Sequence, residues 1–462
     1  MNENSDLLGN TNIRKLLIKL SIPAIVGMGV NALYNLVDTI FVAQGAGEIA
    51  IGALAYAFPV QMILYAVGLM IGIGGASVFS RAYGRGDTET MKHTINTSLR
   101  VGIVLALLVS LFGYLFLDEM LVFFRASDSN IGFAKDYLSV ILIGLVPLTL
   151  SMVLNNFARA EGRANLAMFG FIMGAGLNII LDPIFIYDWG LGLGVKGAAI
   201  ATVISQFSSF TFLFFNSLSK KSILEINLIN PFLINLKVLK DVVVIGLPTF
   251  VRNSLGSILS IIIFILIDES VSGDPAIYIS IYGVMNRLIN FLFLPSFGVV
   301  QGLAPIVGFN YGAKKFKRIR ETINDATLFV FVYFTIALIL IQVFAPQMFM
   351  IFSKDHSEFF ISTGARGFRI LSLGFMFVSF QVVMGSVYQA MGYPIKALLV
   401  SLSRQFLFFL PLVFIFTNLY GLDGLWITFA VADVLAGILS IILFVSNQRY
   451  LNRMIEPELL TT

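Results

Sequence analysis

The sequence predicts an all-α integral membrane protein with twelve transmembrane helices in two six-helix lobes. A pseudo-two-fold axis along the membrane normal would relate the lobes. Three observations carry this expectation: the composition, twelve long apolar runs, and a repeat that spans the chain. Of the 462 residues, 58% are hydrophobic and only 12% are charged, against ~25% charged in soluble proteins. Phe alone occurs 44 times, and the mean hydropathy is +0.90. No soluble fold of this length hides so much apolar surface, and the same numbers exclude disorder.

A helix needs ~20 apolar residues to cross a bilayer. Runs of that kind lie at 16–43, 49–79, 92–116, 134–158, 164–187 and 195–218, then at 238–267, 276–307, 318–345, 359–388, 394–417 and 424–447. None shows the strict alternation of a transmembrane strand, and the longest require tilt or a bend. Basic residues orient the runs. Twenty of the 30 fall on one side, among them Arg14, Lys15, Lys19, Arg81, Arg85, Lys220, Lys221 and Lys314 to Arg320. The opposite loops carry Arg125, Lys135, Lys196, Lys354 and Arg366 beside acids such as Asp118, Glu119, Asp268, Glu269 and Asp274. The bias predicts a multi-pass protein with both termini in the cytoplasm.

The halves answer each other. Ser21-Ile22-Pro23 matches Gly246-Leu247-Pro248, and Tyr83-Gly84 matches Tyr311-Gly312. Arg159-Ala160-Glu161-Gly162 matches Gln389-Ala390-Met391-Gly392, and Gly194-x-x-Gly197 matches Gly421-x-x-Gly424. The offsets are 225, 228, 230 and 227 residues. Six spans per copy is an even number, so both copies enter from the same side and a parallel repeat follows. The expected lobes are 1–218 and 238–462, joined by a cytoplasmic linker at 219–237.

Several functions are excluded. The chain has no Cys, hence no disulfide, thiolate metal site or cysteine nucleophile. His93 and His356 are too few and too distant for a histidine cluster. Phosphate-loop, zinc-protease and serine-hydrolase motifs are missing, so no enzyme and no nucleotide-driven pump is expected. The net charge of +4 reflects loop placement, not a nucleic-acid partner. The first apolar run is too long for a signal core and lacks an A-x-A end, so no cleavable signal is read.

Charged residues inside spans are costly and point to function. Asn31, Tyr34, Asn35 and Asp38 form one stripe on span 1, and Asn178 and Asp182 share a face of span 5. Asp38 lies ~33 Å from the inner start of its run and Asp182 ~27 Å, with Thr202 ~10 Å from the outer start of span 6. These groups share a depth, with no basic residue of the first half to neutralise them. They suit a proton or a hard cation with oxygen ligands. The competing structural readings are a helix cap for Asp182 before Pro183 and interhelical hydrogen bonds for Asn31 and Asn35. Pro23 bends span 1, as a moving or a static kink. In the second half, Arg252, Arg287 and Arg404 fall near mid-membrane with Asp433. Arg404 and Asp433 share a depth on neighbouring antiparallel spans, which favours a structural ion pair; the alternative has Asp433 in the substrate cavity with Asn31 and Asn35. Glu161 reads as part of a loop network with Arg159 and Arg163.

Leu33 to Thr39 in span 1, Arg159-Ala160-Glu161-Gly162, Asn178-Ile179-Ile180-Leu181-Asp182-Pro183, and Gly194-Val195-x-Gly197-Ala198-Ala199-x-Ala201-Thr202 together resemble the multidrug and toxic compound extrusion (MATE) family, in its DinF-like branch with the MepA-type exporters. The resemblance spans essentially the whole chain. It implies two lobes around a central cavity and export of organic cations and other amphipathic drugs in exchange for H⁺ or Na⁺. By motif, Asp38, Asn178, Asp182 and Thr202 match the branch's ion-binding positions. Tyr34 matches the tyrosine beside the first aspartate, and Pro23 the proline at the bend. The NorM-like branch instead uses acids in the second lobe, including one in span 7, where this chain has Arg252. A monomer in a bacterial or archaeal cytoplasmic membrane is expected, with no cofactor beyond the coupling ion. The alternative is a lipid or glycolipid flippase of related architecture; a membrane scaffold would tolerate neutral Asp38 and Asp182.

Overall fold

The computed structural model describes residues 3–46, 48–123, 131–227, 230, 234–271, 275–353 and 358–460. Arg125, Asp274, Lys354 and His356 lie outside these. In a bilayer the backbone has no water to bond, so each crossing segment closes its own hydrogen bonds as a helix. The first half comprises α1 (Glu3–Asn10), α2 (Ile13–Ala46), α3 (Glu48–Arg85), α4 (Thr88–Leu115), α5 (Leu117–Phe123), α6 (Ile131–Ile143), α7 (Leu145–Ala160), α8 (Ala164–Ile186) and α9 (Gly194–Ser217). The second comprises α10 (Leu236–Ser270), α11 (Pro275–Gly312), α12 (Phe316–Met350), α13 (Glu358–Ser372), α14 (Phe375–Met391), α15 (Pro394–Leu402), α16 (Leu410–Tyr420) and α17 (Leu422–Leu460).

Each of the twelve expected runs falls on these helices. Among the described residues ten candidate spans qualify by length and composition, or twelve when each of two bent pairs counts as one. The pairs are α6 with α7, bent by 51°, and α13 with α14, bent by 53°. Their breaks centre on Gly144 and Gly374, 230 residues apart, which is the offset of the repeat at that point. Span 11 is interrupted differently. A π-helical turn, Ser403–Phe409, joins α15 to α16. Pro411, at the start of α16, has no N–H to continue the α ladder, so the hydrogen bonding shifts ahead of it.

Helix α12 shows how lipid contact is written into a span. Leu328, Val332, Ile336, Ile339 and Val343 form one exposed stripe, while Ala326, Val330, Phe334, Ala337, Ile341 and Ala345 form the buried one. Lipid is as apolar as Leu, so helix association here depends on close packing rather than on hydrophobic transfer. Gly68 and Gly72 of α3 meet Met152 and Asn156 of α7, and Gly170 and Gly174 of α8 meet Leu213 and Ser209 of α9.

The halves meet where α2 packs on α11 and α3 packs on both α10 and α11. A Cβ on Gly84 would overlap the carbonyl of Phe309, and a Cβ on Gly312 would overlap the carbonyl of Arg81. Residues 81 and 84 plus 228 are 309 and 312, so the two contacts are repeat equivalents across one crossing. A second equivalent pair follows. Gly74 sits against Val242 and Gly246 between α3 and α10, and Gly302 against Ser21 between α11 and α2. The repeated glycines are therefore the points of closest approach between halves. Gln389 adds polar closure, its amide donating to the carbonyl of Ile245 at 2.8 Å and to Thr249 Oγ1 at 3.0 Å, while Ser77 Oγ donates to the Gln389 carbonyl at 2.6 Å.

At the basic end the segment between α9 and α10 is tied along the first half. Residues 218–235 form it, two residues short of the expected linker end because α10 begins at Leu236. Asn96, fully buried, donates to the Glu225 carbonyl at 2.7 Å and accepts from the Asn227 amide at 2.7 Å. Glu161 pairs with Arg163 at 3.1 Å and accepts from Ser222 Oγ at 2.9 Å and the Ile223 amide at 3.1 Å. Burial pushes its carboxyl above the usual range, and Arg163 with these donors pulls against that shift. Arg159 takes no part, against expectation. Its guanidinium donates to Asn155 and, at 3.0 Å, to Asn156 on its own helix.

The crossing yields a test. In Gly312→Ala the new methyl meets backbone, which cannot rotate away, so overpacking should cost ~1–3 kcal/mol. Thermal unfolding of the purified variant should show a lowered Tm; an unchanged Tm would mean that the halves do not touch there.

Candidate functional site

The packing of α2 on α8, and of α8 on α9, brings four predicted residues together. Asp38 is 8% exposed, Asn178 1%, Asp182 0% and Thr202 5%. Asn178 and Asp182, four apart, stand on one face of α8, and the Asn178 amide donates to Asp182 Oδ1 at 3.1 Å and to Thr202 Oγ1 at 3.3 Å. The Asp38 and Asp182 carboxyls lie within hydrogen-bond reach of each other. Carboxylates that close repel unless a proton or cation bridges them. Asp38 Oδ1, Asp182 Oδ2 and Asn178 Oδ1 are buried and have no hydrogen-bond partner among the described residues. Three orphan acceptor oxygens around two acids form a donor set suited to H⁺ or a hard cation. Asp182 caps nothing, since α8 runs on through Pro183 to Ile186.

Tyr34 completes one side. Its hydroxyl adjoins Thr202 and both carboxyls. Sequence reasoning missed Tyr137 of α6, which is buried, accepts from Gln61 Nε2 at 3.1 Å, and neighbours Asp38, Tyr34 and Asp182. The available signal was a phenol in the outer part of span 4, on the face shared by Ala134, Leu138 and Ile141. Asn35 bonds within its own helix, donating to the Asn31 carbonyl at 2.7 Å. An interhelical bond is one of the two readings the sequence leaves open for it, beside a place in the substrate cavity. Pro23 lies inside α2, two residues beyond the contact of Ser21 with Gly302.

In the second half, Arg404 within the π turn donates through Nε to Asp433 Oδ1 and through Nη2 to Oδ2 at 3.2 Å. Its guanidinium also lies over the Phe293 ring, 5.8 Å from the centroid. The Asp433 side chain has 0% exposure. Both carboxylate oxygens of Asp433 are thus taken by Arg404.

A multi-pass bundle in two pseudo-symmetric halves, with two buried carboxyls side by side in the first, has the build of a membrane transporter. The MatE family profile matches residues 23–184 and again 248–415, once in each half. The chain belongs to the MATE family, whose members are transporters and not enzymes. It is 26% identical over 436 residues to the multidrug export protein MepA of Staphylococcus aureus (strain MRSA252), covering 93% of each chain. MepA of Staphylococcus haemolyticus (strain JCSC1435) is 25% identical over 443 residues, with 94% of each covered. Among solved structures, the MATE multidrug transporter DinF-BH, captured as a ligand complex, is 37% identical, with 94% and 95% coverage and a TM-score of 0.86. An outward-facing MATE transporter of the MOP superfamily is 26% identical over 99% of both chains, with a TM-score of 0.87.

Removing one member of a buried ion pair strands the other charge at ~3–5 kcal/mol, whereas replacing both with apolar residues is often nearly neutral. Asp433→Asn should accordingly lower Tm, and Arg404→Leu combined with Asp433→Leu should recover much of the loss. A double variant no more stable than the single one would show that the pair is not the source of the effect.

Proposed function

We propose that this protein is a secondary active multidrug exporter, moving organic cations, the class its resemblance implies, and other amphipathic drugs out of the cell by antiport with H⁺ or Na⁺. The observation that carries this reading is the convergence of orphan oxygens from Asp38, Asn178 and Asp182 in a buried site. Asp38 and Asp182 would bind the coupling ion, Asn178 and Thr202 would complete its shell, and Tyr34 would orient it. The relatives named as multidrug export proteins support the direction of transport. With the basic end in the cytoplasm, the first lobe (1–218) and the second (238–462) would rock about the glycine crossings, joined by the linker at 219–237.

An inward H⁺ or Na⁺ drawn by the membrane voltage supplies ~2.3 kcal/mol per charge per 100 mV. For that energy to move a drug, ion binding must favour one arrangement of the lobes over the other. Asp38 and Pro23 lie fifteen residues apart on α2, with the α11 crossing just beyond Pro23. Loss of charge at Asp38 would change the packing of α2 against α8, and the kink at Pro23 would pass that change to the crossing.

In vesicles with separately imposed pH and Na⁺ gradients, Asp38→Asn and Asp182→Asn should each reduce coupled efflux at least tenfold while the protein still folds and inserts. Full efflux in either variant would remove that residue from the ion site. Pro23→Ala should still bind drug but turn over several-fold more slowly; wild-type turnover would make the bend static.

A further inference from the structure

The short helix α1 is held more tightly than its sequence suggests. It reads Glu3-Asn4-Ser5-Asp6-Leu7-Leu8-Gly9-Asn10, a polar stretch too short to be a stable helix alone. Yet Leu8 is 0% exposed, and Gly9 is buried beside it. The last carbonyls of a helix have no partner within it, and those of α1 are taken by the turn between α11 and α12. Asn310 Nδ2 and Arg318 Nη2 each donate to the Leu8 carbonyl at 3.1 Å. Lys315 Nζ donates to the Gly9 carbonyl at 2.9 Å, and Arg318 Nη2 to that of Thr11 at 2.8 Å. Two cations at a helix C-terminus also offset the negative end of its dipole.

The same helix touches the first half. Leu7 Cδ2 and Leu8 Cγ both lie 3.7 Å from where a Cβ on Gly162 would stand, in the turn between α7 and α8. A Cβ on Gly9 would lie 3.2 Å from both Lys315 Nζ and Phe309 Cε1. The Phe309 ring in turn meets Tyr83 of α3 edge-on, with 5.0 Å between centroids. Ser5 lines a cavity of about 560 Å³ together with Tyr83, Gly84, Phe309, Ser222 and Ile223, where the halves and their connecting segment meet. Leu8 is thus a wedge between the α7–α8 turn and the α11–α12 turn.

The wedge stands at the joint of the two halves. The contacts of Ser21 with Gly302, Gly74 with Val242 and Gly84 with Phe309 all fall near the basic ends of their helices. Counted along α2, α3, α10 and α11, every one lies within ~17 Å of that end. Opening the basic end would part these contacts, and α1 spans them, so one of its two attachments has to yield. On the second half α1 is held by charge-assisted hydrogen bonds. The start of α2 adds to that hold, since Leu16, Leu17 and Leu20 belong to the buried cluster that fills the second half. On the first half the attachment is apolar, through Leu7 and Leu8 at Gly162. Bonds to charged groups are the stronger kind, so the apolar attachment is the one that releases.

We propose that α1 is a strap across the basic end of the protein. It stays on the second half, and Leu8 seated at the Gly162 turn holds the halves closed until that turn pulls away. This rests on the transporter reading, in which the halves move against one another. The chain has no Cys, so two introduced cysteines are the only sites for spin labels. Glu89→Cys on α4 and Arg453→Cys on α17, both exposed, put one label on each half at that end. Pulsed electron–electron double resonance on the purified full-length protein in lipid nanodiscs, without drug or gradient, reads their separation. Leu8→Asp, and separately Lys315→Gln combined with Arg318→Gln, should raise the ratio of longer to shorter distances about tenfold, the size of one lost buried leucine or charged hydrogen bond. Leu8→Ala should shift the ratio in the same direction, and it keeps the test decisive where a charged residue prevents folding. Glu3→Gln, exposed on the same helix, should leave the ratio unchanged. Distances that stay as in wild type in the Leu8 and Lys315/Arg318 variants overturn the strap, and so does an equal shift in Glu3→Gln. Vesicle efflux by the wild type tests the transporter reading on its own, so wild-type efflux with unmoved distances defeats the strap alone.

Discussion

A charge placed inside a bilayer must be paired, hydrated or neutralised, because the surrounding hydrocarbon offers it nothing. The polar interior of this protein is arranged around that constraint, and three of its solutions are present. Arg404 and Asp433 satisfy each other and have little left for a ligand. Asp38 and Asp182 adjoin each other without a counter-charge, so their environment calls for something small and positive. Arg252 and Arg287 are exposed, with no acidic partner among the described residues, and are left to hydration. Similar residue types thus have different chemical capacities according to what stands next to them.

The scaffold beneath these groups is nearly symmetric, but the chemistry is not. Equivalent glycines bring α3 against α11, and related contacts bring α2 against α11 and α3 against α10. Equivalent breaks at Gly144 and Gly374 bend the fourth and tenth spans by nearly the same angle. Yet with the local offset of 225 the position answering Asp38 is Ile263. Pro183 aligns with Pro411 at 228, which makes Leu410 the counterpart of Asp182. Symmetry supplies two bodies able to move against one another, and its breaking confines the acid pair to one of them. The buried acid pair therefore belongs to the first half and the Arg404–Asp433 pair to the second.

Much of this was legible without coordinates. Length and apolar runs determined the spans, because a bilayer demands ~20 residues per crossing whatever the packing. The offsets of Ser21, Tyr83, Arg159 and Gly194 to their counterparts exposed the repeat. Helical periodicity put Asn178 and Asp182 on one face, and arithmetic at ~1.5 Å per residue brought Asp38 and Thr202 to their depth. The same arithmetic matched Arg404 to Asp433. Periodicity and depth are properties of a single helix, so a sequence contains them.

Rotation about the helix axis relative to neighbours is not such a property, and the tertiary structure alone decided what depended on it. It turned Arg159 toward Asn155 and Asn156 and left Glu161 to the linker. It enclosed the Asp433 side chain beside Arg404, although depth by itself also left open the alternative place in a substrate cavity. It added Tyr137 to the acid pair, since only the bend at Gly144 and the packing of α6 show which way that phenol faces. It also left Arg252 and Arg287 exposed, with no acidic partner among the described residues. Sequence spacing fixes height along the membrane normal, but which neighbour a side chain meets at that height depends on how twelve helices pack around one another.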